Sequence, residues 1–151
     1  MGVVRIQPEL FDPGAESAAV GHGRPEVGAV ASFTGLCRAD DNLNALVLEH
    51  YPGMTERAMR DIVAEAERRW PILDCLVIHR YGRILPGEPI VLVTMASGHR
   101  SDAFDACSFV MDWLKTRAPF WKLEEFPDGQ TRWVEAKQAD DDAADRWQGT
   151  A

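Results

Sequence analysis

Two lysines flank a proline corner in the second half of the chain, in the run Lys115-Thr116-Arg117-Ala118-Pro119-Phe120-Trp121-Lys122. Lys115 falls in the last turn of a predicted helix, and Pro119 forces the chain to leave that helix sharply. Lys122 follows the corner, so its side chain can return towards Lys115. Two ammonium groups held close repel each other, which disfavours the charged form of one of them. A lysine tuned in this way can act as a nucleophile or as a general acid or base.

A second polar group, Ser97-Gly98-His99-Arg100-Ser101, joins a buried-strand pattern to the start of the same helix. Free backbone N–H groups at a helix N-terminus attract anions, and His99 and Arg100 add side-chain donors. Both polar groups also have a purely structural interpretation. Cations in a last turn complement the helix dipole, and His99-Arg100 can simply begin the helix.

The remaining candidate residues indicate structure rather than chemistry. Cys37, Cys75 and Cys107 are odd in number and widely spaced, which is typical of small core residues in a reducing compartment. His50 and His79 lie within strand patterns and are interpreted as structural histidines. The sequence has no His, Cys and Asp cluster at metal-ligand spacing and no glycine-rich nucleotide motif, so we predict no metal and no cofactor.

Composition excludes several classes of function. The net charge of −8 and the pI of about 4.9 argue against non-specific nucleic-acid binding, although a local cationic pocket remains compatible with them. The longest apolar run, Pro89–Ala96, is far shorter than the ~20 residues of a membrane helix. Met1–Ile6 shows no secretory pattern. We therefore predict a soluble cytoplasmic protein with a single domain over residues 1–151, without nucleic-acid or membrane partners.

Hydrophobic periodicity predicts the elements that must position these residues. The predicted strands are Val3–Ile6, Val27–Thr34, Asn44–Tyr51, Asp74–Arg80 and Pro89–Ala96. The last of these is predicted to be central because it is apolar on both faces. The two main predicted helices are Thr55–Trp70, with Thr55 as N-cap, and Ser101–Thr116. The buried stripe of the second helix is predicted to run through Phe104, Cys107, Val110, Met111 and Leu114.

The shorter predicted elements complete an α+β fold, with two main helices on one face of a mixed or antiparallel sheet. They are a short helix in Asp12–Val20, a polar loop at Gly35–Leu43, a turn at Gly82–Glu88, and a hairpin of Phe120–Phe126 with Thr131–Ala136. The acidic tail from about residue 138 is predicted to be a short helix or a frayed end.

Six segments, in order along nearly the whole chain, resemble one known family. They are VASFTGLCR (30–38), LEHYPGMTE (48–56), IHRYGRILPGE (78–88), SGHRSDAF (97–104), MDWLKTRAPFWK (111–122) and RWVEA (132–136). Together they resemble the large, catalytic subunit of molybdopterin synthase, the MoaE family. The run LKTRAPFWK followed by RWVEA is the specific part of this likeness.

The resemblance implies a sulfurtransferase of molybdenum-cofactor biosynthesis. In this family, sulfur arrives as a thiocarboxylate on the C-terminal glycine of a small ubiquitin-like subunit of the MoaD type. It is added to cyclic pyranopterin monophosphate (precursor Z), which forms the dithiolene of molybdopterin. The resemblance also implies a homodimer of large subunits within a heterotetramer, and an α/β hammerhead core with a small antiparallel subdomain.

The resemblance further implies which residues act. It implies catalytic roles for Lys115 and Lys122, with Lys115 either as acid and base or as acceptor of the partner's acyl group. The implied substrate-binding residues are Arg38, His99, Arg100, Phe33, Met111, Arg117 and Lys137. In the family, the His-Arg pair comes from the neighbouring large subunit. Two departures are a short loop at Ala39–Leu43 and a lysine, Lys137, where some members have arginine.

Two alternative functions compete with sulfur transfer by the lysines. The first is a non-catalytic module that binds the tail of a ubiquitin-like partner. The second is a transferase that depends on Cys37, which lies next to Arg38. If the resemblance holds, sulfur comes from the partner, and the three thiols need no chemical role.

Overall fold

The computed structural model describes residues 2–40, 42–134 and 138–148. Two four-stranded sheets and four helices make up these residues. The strands are β1 (Val3–Gln7), β2 (Ala29–Leu36), β3 (Ala45–His50), β4 (Ile72–Arg80), β5 (Gly82–Ile84), β6 (Pro89–Ser97), β7 (Phe120–Glu125) and β8 (Thr131–Trp133). The helices are α1 (Pro13–Ala19), α2 (Met54–Arg69), α3 (Arg100–Arg117) and α4 (Gln138–Asp145).

The first sheet has the order β1-β4-β6-β2 and is mixed. β1 runs parallel to β4, whereas β4 and β2 are antiparallel to β6. Val93 packs with α2 and α3 on one face, and Leu92 packs on the other face with residues that flank α1. Because both faces are covered, β6 is buried throughout its centre. This confirms the prediction of a central strand from its apolar run.

An aromatic cluster joins helix α3 to the residues that follow α2 and α4. Phe109 is fully buried, and its ring lies 4.4 Å from Trp113, 5.4 Å from Trp70 and 5.7 Å from Trp147 between centroids. Trp147 follows α4 and donates a 2.6 Å hydrogen bond from Nε1 to Asp112. Within the described residues, the tail forms the short helix α4, which is one of the two structures predicted for it.

The second sheet has the order β5-β3-β7-β8 and is antiparallel. β7 pairs with β3 from Ala45 opposite Glu125 to His50 opposite Phe120. β7 and β8 form the predicted hairpin around Pro127–Gly129. The structure thus confirms an α+β fold with two main helices and a small antiparallel unit.

The start of α2 corrects one prediction. Gly53, with a φ of +82°, precedes the helix as N-cap, and no side chain caps it. Thr55 lies inside the first turn, where it is fully buried. Its hydroxyl accepts a hydrogen bond from Tyr51 N and donates one to Pro119 O, both at 3.0 Å. Thr55 therefore ties α2 to the proline corner, a long-range role that capping rules do not anticipate.

Three further predictions about local structure were wrong. Phe104, which the predicted stripe includes, is 65% exposed, whereas Phe109, which the stripe does not include, is fully buried. Gly82–Ile84 forms strand β5 because Ile84 pairs with Leu46, a partner far away in the sequence. β2 extends through Gly35 and Leu36, whereas the sequence predicts a polar loop from Gly35 onward.

Candidate active site

A cleft of about 490 Å³ lies between the C-terminal end of α3, strand β7 and the β2 edge of the first sheet. Strands β4 and β6 contribute to its floor, and α4 contributes Asp140 at one side. Lys115, Lys122, Phe33 and Met111 all line this cleft. The structure therefore brings together four of the residues that the sequence analysis singled out.

The proline corner places the two lysines in the same cleft. Lys115 lies in the last turn of α3, and Phe120 N donates to Ala118 O at 2.9 Å as the chain turns. Lys122 lies on β7 directly opposite Leu48 of β3. Because residues opposite each other share a face and Leu48 is fully buried, Lys122 projects from the inner face of the second sheet. Both ammonium groups thus belong to one concave site.

The other walls of the cleft are largely apolar. Phe33 and Met111 face it with Ile90, Val91 and Leu114. β2 approaches β6 closely here, since a Cβ on Gly35 would lie 2.7 Å from Val91 Cγ1. An apolar cleft with a few placed cations suits a negatively charged small molecule that also has apolar surface.

A smaller pocket of about 180 Å³ adjoins the cleft and shares Phe33, Met111, Lys115 and Asp140 with it. Asp112 completes its lining, and the Asp112 carboxylate is held by Trp147 Nε1 and by Arg146 at 3.1 Å. Asp140 is not among the predicted site residues, because nothing in the acidic tail distinguishes it from its neighbours Asp141 and Asp142. Helix α4 brings this carboxylate to Lys115's side of the site.

His79 is a further cleft residue that the sequence analysis assigned to structure. Its ring stacks on Phe120 with centroids 3.7 Å apart and an interplanar angle of 15°, and its Nδ1 lies 2.8 Å from Arg80 O. Burial lowers the pKa of His79 to about 4, and the charges of Lys122 and Lys115 act in the same direction. The imidazole is therefore neutral at pH 7. No local pattern distinguishes it from a core histidine, because Phe120 is distant in sequence.

His99 and Arg100 lie at the opposite end of α3 from the lysines. Both are exposed, and His99 is the N-cap residue although its side chain makes no capping hydrogen bond. At 1.5 Å of rise per residue, Lys115 lies about 22 Å along the helix axis from Arg100. Within one chain, the two groups therefore cannot hold the same small molecule.

Two other predicted cations, Arg38 and Arg117, also lie outside the cleft lining. Arg38 is exposed two positions beyond Leu36 and pairs with Asp40 at 2.7 Å. The guanidinium of Arg117 lies over the Trp113 ring, 4.0 Å from its centroid. Lys137 lies outside the residues that the structure describes.

The three cysteines are buried free thiols and none of them lines the cleft. Burial raises the pKa of Cys37, of Cys75 to about 12 and of Cys107 to about 11. A thiol is a nucleophile only as thiolate, so the raised pKa of Cys37 disfavours the Cys37 mechanism. In residues 2–40, 42–134 and 138–148, no three His, Cys, Asp or Glu side chains are grouped so as to hold a metal. Nor does any helix there combine the length and apolarity needed to cross a membrane.

Comparison with known proteins places this geometry in a family. Residues 6–117 match the family model described as MoaE protein. The molybdopterin synthase catalytic subunit of Mesorhizobium japonicum is 56% identical over 150 residues, covering 98% of this chain and 94% of the relative. The protein of the same name from Escherichia coli K12 is 52% identical, covering 94% and 95%. The solved MoaE structure from Burkholderia ambifaria matches with a TM-score of 0.82 and 53% identity, covering 97% and 98%. The chain therefore belongs to the MoaE family.

Proposed function

We propose that this chain is the catalytic subunit of a molybdopterin synthase. In this role it moves sulfur from the C-terminal thiocarboxylate of a small ubiquitin-like partner to precursor Z, which forms the dithiolene of molybdopterin. The observation that carries the proposal is the convergence of Lys115 and Lys122 in one apolar-walled cleft. The relatives that share about half of its residues are named as catalytic subunits of this enzyme.

The substrate's charge explains the choice of residues. Precursor Z carries a phosphate, which cationic donors bind through charge-assisted hydrogen bonds. Lys115 and Lys122 supply cations inside the cleft, and Arg38 lies just beyond the cleft-lining end of β2. Phe33 and Met111 provide apolar surface for the flat pterin. The protein can thus bind an anion despite its net charge of −8.

The remaining donors indicate an assembly of two large subunits. His99 and Arg100 lie too far from Lys115 to share its ligand within one chain. We infer that a second copy supplies them, so that each site is completed across a homodimer. One small sulfur-carrier subunit at each end then gives a heterotetramer. The partner's flexible glycine tail must reach the cleft, where its sulfur meets the pterin side chain.

Two roles for Lys115 are compatible with the cleft. Sulfur bonds to a carbon of the pterin side chain, and the C–S bond to the partner's acyl group then breaks. The acyl group leaves either to water, with Lys115 transferring protons, or to the Lys115 amine, which forms an isopeptide bond. Each transfer supplies one of the two sulfurs, so a second thiocarboxylate completes the dithiolene.

A turnover assay tests the proposal directly. The purified protein is mixed anaerobically with thiocarboxylated MoaD-type partner and precursor Z, and the product is measured as its fluorescent oxidised pterin. Wild type should form product, whereas Lys115→Ala should lose at least about a hundredfold in rate. Arg60→Ala, which removes an exposed cation paired with Glu56 on α2, serves as the matched control and should retain wild-type rate.

The same assay decides between this function and the binding module. Partner binding by wild type without any product would assign the chain to the non-catalytic class.

The proposal also places the protein in the cytoplasm, because three buried free thiols suit a reducing compartment.

A further inference from the structure

The position and contacts of His79 indicate a functional role in the cleft and not only a structural one. It lies near the end of β4, where it lines the cleft together with Lys115 and Lys122. Its ring is stacked on Phe120 at 3.7 Å, which fixes the plane of the imidazole. Phe120 and Lys122 are two positions apart on β7 and thus share a face. The stack therefore places the imidazole on the side of β7 from which Lys122 projects.

The hydrogen bond at Nδ1 determines which ring nitrogen can act. A backbone carbonyl only accepts, so Nδ1 must carry the proton that it shares with Arg80 O at 2.8 Å. The neutral ring then leaves Nε2 as an acceptor. The Arg80 carbonyl is itself held in place, because the buried Arg80 side chain donates to Pro8 O at 3.2 Å and to Pro89 O at 3.1 Å.

We propose that His79 is a positioning residue that holds the Lys122 side chain in place for sulfur transfer by accepting a hydrogen bond at Nε2. This inference rests on the proposed function and adds to it a residue outside the lysine run. Charged and titratable groups face the ring from three elements: Lys122 on β7, Lys115 on α3 and His50 on β3. Asp140 of α4 lines the same cleft. Burial keeps the pKa of His79 low, so the acceptor persists at the pH of the reaction.

Three substitutions separate the acceptor from the packing. His79→Phe keeps an aromatic ring against Phe120 and removes both nitrogens. His79→Asn places an amide near the Nδ1 position only, whereas His79→Gln reaches the Nε2 position with an oxygen that can accept. We expect His79→Phe and His79→Asn to lose about tenfold to a hundredfold in kcat, with KM for the partner nearly unchanged. His79→Gln should recover most of the rate.

The pH profile supplies a readout that packing alone would not move. A neutral acceptor favours the ammonium form of its donor. Its loss in His79→Phe should therefore move the basic limb of the kcat profile to lower pH, and His79→Gln should restore the limb. His50→Phe is the matched control, because His50 belongs to the same aromatic cluster, 6.2 Å from Phe120, but does not line the cleft.

The outcomes separate this inference from the proposed function. If the His79→Phe variant keeps the kcat and pH profile of the wild-type protein, the proposed role of His79 is overturned. The proposed sulfur-transfer function would still stand, because the wild-type protein forms product. Equal losses in His79→Gln and His79→Asn would assign His79 to packing and also overturn it. Should His79→Phe fail to fold, the comparison of Gln with Asn decides alone. Absence of turnover by wild type would overturn the proposed function and this inference with it.

Discussion

The two ends of helix α3 present opposite kinds of surface. The C-terminal end is enclosed, since β7 and α4 meet Lys115 and Met111 there around a cleft. The N-terminal end is open, and His99, Arg100 and Phe104 are all exposed. The 18 residues from Arg100 to Arg117 form a spacer about 27 Å long at 1.5 Å per residue. Chemistry that needs both ends must therefore use two copies of the helix.

The middle of α3 makes that spacer rigid. Phe109 and Val110 are fully buried against the rest of the fold, and the Arg69 guanidinium lies 4.8 Å from the Phe109 centroid. Arg69 also donates to Trp147 O at 2.7 Å, which links α2, α3 and the end of the chain. The distance between the two ends is consequently a property of the fold and does not vary with small side-chain movements.

Coexpression of two impaired variants tests whether the two ends of α3 act in one site that is shared between copies. Lys115→Ala should lose about a thousandfold in sulfur transfer, because it removes the group placed at the reaction. A His99→Ala/Arg100→Ala double variant should also be impaired, because it removes the donors at the other end. Coexpressed, the two should form mixed dimers in which one site is intact, and about a quarter of wild-type turnover should return.

The controls for the mixed dimers are the two variants assayed separately at the same total concentration. A mixture no more active than their sum would contradict a site shared between copies. In that case His99 and Arg100 would not contribute to the cleft of a second copy, and the N-terminal end of α3 would have no part in sulfur transfer.

Two phenylalanines on α3 should differ in how much they contribute to stability. Phe109→Ala should lower the free energy of unfolding by about 3–5 kcal/mol, because it leaves a cavity among the rings of Trp70, Trp113 and Trp147. Phe104→Ala, near the open end, should change it by less than about 0.5 kcal/mol in the monomer. Denaturant titration of both variants measures the difference. Equal losses would show that the open end is covered in the free protein.

Phe104 and Phe109 also show which parts of the fold can be predicted from the sequence. Periodicity predicts α3 and its limits to within a residue or two, and it predicts the central strand β6. It misplaces Phe104 and omits Phe109 because it assumes one buried stripe, whereas α3 packs on the first sheet with one side and on α2 and α4 with another. A stripe model cannot represent a helix buried on two sides.

The site follows the same rule. The lysine pair was predictable because Pro119 creates a local corner that returns Lys122 towards Lys115. His79 was not, because its stack on Phe120 and its cleft position depend on the docking of the two sheets. Asp140 was not either, because an acidic run resembles a solvated surface until Trp147 anchors it. Geometry that neighbouring residues determine can be predicted from the sequence, whereas contacts between elements that are distant in the sequence cannot.

The stability of the protein should depend on pH through His79, which lines the cleft at the C-terminal end of α3. Its folded pKa of about 4 lies below the ordinary value of 6.5, so the unfolded state binds more protons between these values. Stability is therefore fully present above about pH 6.5 and falls as the pH drops towards 4, by about 3 kcal/mol from this group. Urea unfolding across this range should show that wild type loses more stability than His79→Phe. Parallel loss in the two proteins would contradict a buried neutral imidazole.

The smallest expected effect concerns the anchor that brings α4 to the enclosed end. Trp147→Phe keeps an aromatic ring beside Trp70 and Phe109 but removes the 2.6 Å hydrogen bond to Asp112. Asp112 keeps its ion pair with Arg146, so we expect a loss of only about 1 kcal/mol in unfolding free energy. Because α4 also carries Asp140 into the cleft, KM for precursor Z should change while Lys115 and Lys122 keep their places. Denaturant titration and steady-state kinetics on the same preparation test both expectations. A loss of several kcal/mol would show that α4 is part of the core of α3, and an unchanged KM would separate the chain's end from the site.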